Sequence, residues 1–172
     1  IKLDDYLIPV LGMREVNAAA EDLLFEYMPE ALHDYKLLDP FKLARKMGLE
    51  VAYHKLYKNH KTKSVLYWFD SEVKVTPRNG DDKAPPIVVK IPAGTIRLNE
   101  NAVHRDRAQL NVYHECFHDE YHWLFYRLQE MHNNDLRKIK RTRKPKNQGK
   151  EPKNPLTILE WEAKQGSRAL MM

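Results

Sequence analysis

From Arg105 to Met131, apolar and aromatic residues fall at Leu110, Tyr113, Phe117, Tyr121, Leu124, Phe125 and Leu128, with no Gly or Pro between them. Steps of three and four dominate, so the spacing predicts one long amphipathic helix over this stretch. Upstream, Val16 to Tyr27 reads as a helix with Leu23, Leu24 and Tyr27 on its buried side, and Pro29 ends it. Asp39-Pro40 opens a short helix over Phe41–Met47, with Asp39 as N-cap, Pro40 at the first position and Gly48 as the stop. A helix-turn-helix over Phe41–Leu56 is disfavoured, because the residues after Gly48 alternate like a strand and no recognition helix follows.

The strand signals come next. Leu49–Tyr53 alternates, and Ser64–Phe69 and Glu72–Thr76, parted by Asp70-Ser71, predict a hairpin. Ile87–Ile91 is a third strand and Thr95–Leu98 a fourth, separated by Pro92-Ala93-Gly94. Asn99 or Asn101 is expected to cap the long helix. Leu156–Met172 returns to helix, with Thr157 as a candidate cap. Its Leu159, Trp161 and Ala163 give no clean stripe, and Gly166 in mid-pattern either weakens the helix or permits a close helix contact. The pattern predicts an α+β fold: a small antiparallel sheet of three to four strands packed with helices, in one domain over 1–172.

Composition narrows the class. With 42% apolar and 31% charged residues in 172, the chain suffices for one hydrophobic core. No apolar run approaches the roughly 20 residues of a membrane span, and no signal-peptide pattern opens the chain, so no membrane association is expected. The single cysteine, Cys116, cannot form an intrachain disulfide, which fits a reducing, cytoplasmic location. The chain starts at Ile1 and stops at Met172 inside an apolar pattern, as expected of a domain cut from a longer protein. Residues 137–153 carry nine Lys or Arg and one Glu. Outside them 20 basic and 23 acidic residues leave −3, so the net charge of +5 is local to this segment. Its prolines and glycine predict an exposed basic loop: a solubilising connector, or a weak contact for nucleic acid or an acidic partner.

The long helix also holds the chemistry. His114-Glu115-Cys116-Phe117-His118 is an H-E-x-x-H pattern. Positions i and i+4 share a helix face, so His114 and His118 can aim two ring nitrogens at one ion. They lie on the apolar stripe and point inward, where unpaired imidazoles carry a desolvation cost that a metal offsets. Glu115 is turned about 100° from His114, placed to take a proton from water rather than to bind the ion. Cys116 is about 200° from His114 and is read as a packed thiol, not a ligand. A catalytic zinc site needs a third protein ligand. Tyr121 and Leu124 stand where a metzincin would have Gly and His, so that class is excluded. Glu160 and Glu162, on the last helix, are the candidates, and they point to different sides of it.

Glu160-Trp161-Glu162-Ala163, followed by Ala169-Leu170-Met171-Met172, resembles the second motif of the ImmA/IrrE metallopeptidases, roughly E-x-x-A-N/D and then a tract ending in L-M-P. His114, Glu115, His118 and His122 resemble the family's first motif, often H-E-x-x-H-x-x-x-H. The N-terminal order of helix, Asp39-Pro40, short helix and strand is similar too. The resemblance implies a zincin-like, gluzincin-type catalytic domain with zinc held by His114, His118 and Glu160. Cys116-Phe117, Lys164 and the missing final proline depart from the family pattern, and the basic insert lengthens the step from His118 to Glu160. His122 is read as a packed histidine supporting the site from outside the ligand set.

The resulting expectation is a zinc-dependent endopeptidase that hydrolyses peptide bonds with metal-activated water, Glu115 acting as general base. A further donor usually assists, with Tyr67, His104 and Tyr121 as candidates. The resemblance implies a helix-turn-helix transcriptional repressor as substrate. The alternative is a non-catalytic module that binds a regulator, or nucleic acid through 137–153.

Overall fold

The chain is a mixed α+β protein, and a computed structural model describes its residues 4, 8–9, 11–78, 83–132, 138–140 and 155–171. Helices α1 (Met13–Tyr27), α2 (Pro29–His33) and α3 (Pro40–Lys46) come first. Strands β1 (Glu50–His54), β2 (Ser64–Tyr67), β3 (Ser71–Val75), β4 (Ile87–Ile91) and β5 (Thr95–Asn99) follow. Helices α4 (Gln109–Tyr121) and α5 (Trp123–His132), strand β6 (Lys138–Lys140) and helix α6 (Pro155–Met171) complete the order. Of the basic segment 137–153, only the β6 backbone lies within the described residues. No helix among those residues is long and apolar enough to cross a membrane.

The expected N-terminal signals act as written. The Asp39 carboxylate accepts from the Phe41 and Lys42 amides, and Gly48 leaves α3 at φ +81°, a conformation that disfavours side chains. The strand pairing differs from expectation. β5 is central: β1 pairs with it in parallel, from Glu50↔Thr95 to His54↔Asn99, and β2 pairs antiparallel, from Ser64↔Leu98 to Tyr67↔Thr95. The sheet is therefore mixed rather than antiparallel. β6 lies against the outer edge of β2. β2 and β3 do not form the expected hairpin; β3 pairs with β4 as a separate two-stranded ribbon.

The reason lies at the two crossings. Asp70 accepts from the Ala93 amide at 2.8 Å, and the Gly94 amide donates to the Tyr67 carbonyl at 2.7 Å. The chain leaving β2 and the chain returning to β5 are thus bound to each other, and the ribbon between them swings out of the sheet. Side chains alternate across it. Leu66, Ile96 and Leu98 join the main core with Val112, Tyr113 and Cys116 of α4, whereas Val65 and Tyr67 pack on Val73, Val75 and Ile91 of the ribbon.

The predicted long helix is two helices. A 3-10 turn at Arg105–Arg107 precedes α4, and helical geometry breaks at His122 (φ −119°, ψ 0°) before α5 resumes. Neither asparagine caps α4. Asn99 instead donates to the Asn59 and Thr62 carbonyls and accepts from the Leu56 amide, which pins the connection between β1 and β2. Thr157 lies inside α6, which starts at Pro155.

α6 does bury a clean stripe: Leu159, Glu162, Ala163, Gly166, Ser167 and Leu170. It runs against α4 and α1, and Phe117, Val16, Ala19 and Ala163 share one cluster. The close contact allowed by Gly166 is present. A β-carbon at this position would lie 2.2 Å from Cδ2 of the fully buried Phe117 ring. Alanine would gain about 1 kcal/mol of helix propensity over glycine, while overpacking costs about 1–3 kcal/mol. Because the clash reaches the ring itself, we expect Gly166→Ala to be net destabilising and Gly166→Val to cost at least about 2 kcal/mol in urea unfolding. Unchanged stability in both variants would refute this account of the helix contact.

Candidate metal centre

Three side chains from two helices converge. On α4, His114 and His118 face the same way one turn apart, their rings edge-on at 4.7 Å between centroids. Their Nε2 atoms are 3.0 Å apart. Glu160 of α6 closes the group, with Oε1 3.1 Å from His118 Nε2 and Oε2 3.3 Å from His114 Nε2. Both histidines are buried, while the Glu160 side chain is 25% exposed, so access to the group lies on the Glu160 side.

The donor set fits a metal ion. Four tetrahedral ligands at zinc distances of about 2.0–2.1 Å stand roughly 3.3–3.4 Å from one another, and the observed separations of 3.0, 3.1 and 3.3 Å, the last two to different oxygens of Glu160, are close to that. Proton counting leads to the same place. Each Nε2 carries at most one hydrogen and the carboxylate none, so protons satisfy at most two of the three contacts at once. A single divalent cation satisfies all three. His114, His118 and Glu160 are accordingly a group that could hold a metal ion. Two imidazoles and a glutamate form one of the ligand sets used by catalytic zinc. Burial alone would raise the Glu160 carboxyl, but hydrogen bonding and charge from His114 and His118 outweigh it and hold the group well below the usual carboxylate range.

Glu115 is not among the converging donors. It is fully buried, and its Oε1 accepts from Ser64 Oγ of β2 at 2.5 Å. The strand thus grips the residue that follows the first histidine. Cys116 is buried in the main core, where desolvation pushes its thiol well above the ordinary value, and it is not among the converging donors.

The other glutamate of α6 meets the other histidine. Glu162 Oε2 is 2.9 Å from His122 Nε2, and His122 Nδ1 is 2.8 Å from His118 Nδ1. Glu162 also accepts from the Leu11 amide at 3.3 Å, and burial pushes its carboxyl up to about 8. Burial, then the neighbouring His118 and His114, press His122 well below its usual range, so its ring is neutral. The hydrogens in this chain are set by counting. A lone pair on His118 Nε2 requires its proton on Nδ1. His122 must then accept at Nδ1 and carry its proton on Nε2, which asks Glu162 to accept as a carboxylate, against the burial that favours its protonated form. His122 follows His118 by one turn as His118 follows His114, with ring centroids 5.0 Å apart, and helical geometry ends at this residue.

Sequence reasoning missed two members of the site. Ser64 gave no signal, because its role depends on β2 lying under α4. Tyr126 is buried, with its ring 6.3 Å from that of His118. Burial, and then Glu160 and Glu115, keep its phenol well above the ordinary range and hence protonated. Of the three donor candidates read from the sequence, Tyr121 donates to the Ala19 carbonyl at 2.6 Å and Tyr67 faces the ribbon side of the sheet. His104 is exposed, ahead of the 3-10 turn. Comparison with protein-family models, with curated proteins and with solved structures returned no match.

Proposed function

We propose that this chain is a zinc-dependent endopeptidase of the gluzincin type, similar to the ImmA/IrrE metallopeptidases. The observation that carries the reading is the donor triangle of His114, His118 and Glu160, joined to a Glu115 that lies beside it in sequence and outside it in space. When bound, zinc supplies Lewis-acid polarisation and lowers the pKa of its water towards roughly 7. His114, His118 and Glu160 are the residues that would hold it. Glu115 accepts a proton from the attacking water and returns it to the leaving amine. The Ser64 hydroxyl fixes the rotamer of that carboxylate. Tyr126, kept protonated beside Glu160 and Glu115, takes the place of the donor sought at Tyr67, His104 or Tyr121, and steadies the developing oxyanion. His122 and Glu162 hold His118 in the tautomer that offers Nε2. The substrate that fits the family resemblance is a helix-turn-helix transcriptional repressor, and a cytoplasmic location accords with it.

Metal content and cleavage separate the parts of this proposal. Purified protein is expected to carry one zinc per chain, and Glu160→Ala to lose it, as read by elemental analysis. Glu115→Gln should keep the zinc and lose cleavage of a repressor encoded beside this gene by about 10²–10⁴-fold. Wild-type cleavage by Glu115→Gln would overturn the general-base role; zinc retained without any cleavage by the native chain would leave a metal-holding binding module. His122→Phe fills the same space without the relay. It should weaken zinc binding about 10–100-fold in competition with a chelating dye, while the folded circular-dichroism spectrum persists. Full affinity in that variant would remove the tautomer role.

A further inference from the structure

On the ribbon side of the sheet, away from the metal centre, Arg97 of β5 is 2% exposed. Arginine is seldom fully buried without a partner, because an unpaired charge in the interior carries a large desolvation cost. Yet among the described residues neither Nε–H nor Nη1–H of Arg97 meets an acceptor. Its guanidinium lies over the Tyr67 ring at 5.1 Å, which lends only the weak attraction of an aromatic face. The neighbouring hydroxyls of Tyr67 and Thr95 are buried and, among the described residues, unpartnered too. They share this side of the sheet, since Tyr67 pairs with Thr95 and Arg97 is two residues farther along β5. The positive charge is felt nearby: after burial, Arg97 is the next influence lowering His54 on β1.

Beside Arg97 is a cavity of about 180 Å³ between the sheet and the ribbon, walled by Val65, Leu56 and Val73, with the exposed Lys74 and Glu72 of β3 also bordering it. Lys74 and Glu72 offset each other in charge, so Arg97 sets the sign of the interior. The volume is below the roughly 300 Å³ at which pockets begin to take drug-sized ligands, and suits one small polar group. A buried guanidinium with idle donors and an adjoining space make a site that lacks an acceptor. We propose that this cavity binds a single oxyanionic group, carboxylate or phosphate, with Arg97 as its charge partner. A planar guanidinium matches the oxygens of either group.

Inorganic phosphate and acetate, titrated separately into the full chain at ionic strength held constant with sodium chloride, test this. At least one of them should raise the Tm saturably and shift the Arg97 Nε–H nuclear magnetic resonance signal with the same midpoint, and chloride alone should do neither. Response to phosphate only, to acetate only, or to both identifies the source chemistry, and each supports the site. Arg97→Met should weaken the responding anion at least about tenfold while matching or exceeding wild-type Tm in anion-free buffer, since an apolar side chain there leaves no unpaired charge. If that variant does not fold, the Arg97 signal of the native chain decides alone. No movement of that signal with either anion, or equal movement with chloride, overturns the proposal. Glu160→Ala should leave anion binding intact, so this test is separate from that of the metal centre.

Discussion

The contact between α4 and α6 is the constraint on which the rest depends. It brings a carboxylate from the far end of the chain to within about 3 Å of two histidines, and it is possible because residue 166 has no side chain. Phe117, in the heart of the H-E-x-x-H segment, fills the space that Gly166 and Ala163 leave. Bulk on one helix is matched by its absence on the other, and this match sets the height at which Glu160 and Glu162 face α4. A shift of one turn along α6 would separate both glutamates from their histidines.

That interface is unusually polar for a core. His114, His118, His122, Glu115 and Glu162 are all buried. Burying such groups is unfavourable unless each hydrogen finds an acceptor. The Glu162–His122–His118 chain meets this demand along one direction and Ser64–Glu115 along another, so the polar groups brace one another. A partly satisfied network would be worse than an apolar one.

The sheet serves the site from below. Its apolar face supports α4, and Ser64 reaches up from the start of β2 to grip Glu115. The opposite face, under the ribbon, has a different character, with a buried arginine beside a small cavity. One four-residue strand, β2, thus contributes alternate residues to two separate chemistries, because successive side chains point to opposite faces.

Local order was legible in the residues themselves. The caps at Asp39 and Gly48, the presence of α1 and α3, the strand-forming runs and the i, i+4 spacing of His114 and His118 all follow from short-range sterics and periodicity, although α1 starts three residues earlier, at Met13. The assignment of Glu160 rather than Glu162 to the histidine pair came from a motif resemblance, since spacing alone leaves both open. The stripe of α6 was hidden because half of it is Glu, Gly and Ser, which a hydrophobicity pattern counts as surface. Strand partners were hidden for a different reason: alternation tells which face a residue takes, not which edge it meets. Only the folded chain decided that β2 joins β5 rather than β3, that Glu162 meets His122, and that Ser64 meets Glu115. Each of these rests on contacts between residues tens of positions apart, whose energies appear only when the chain is packed.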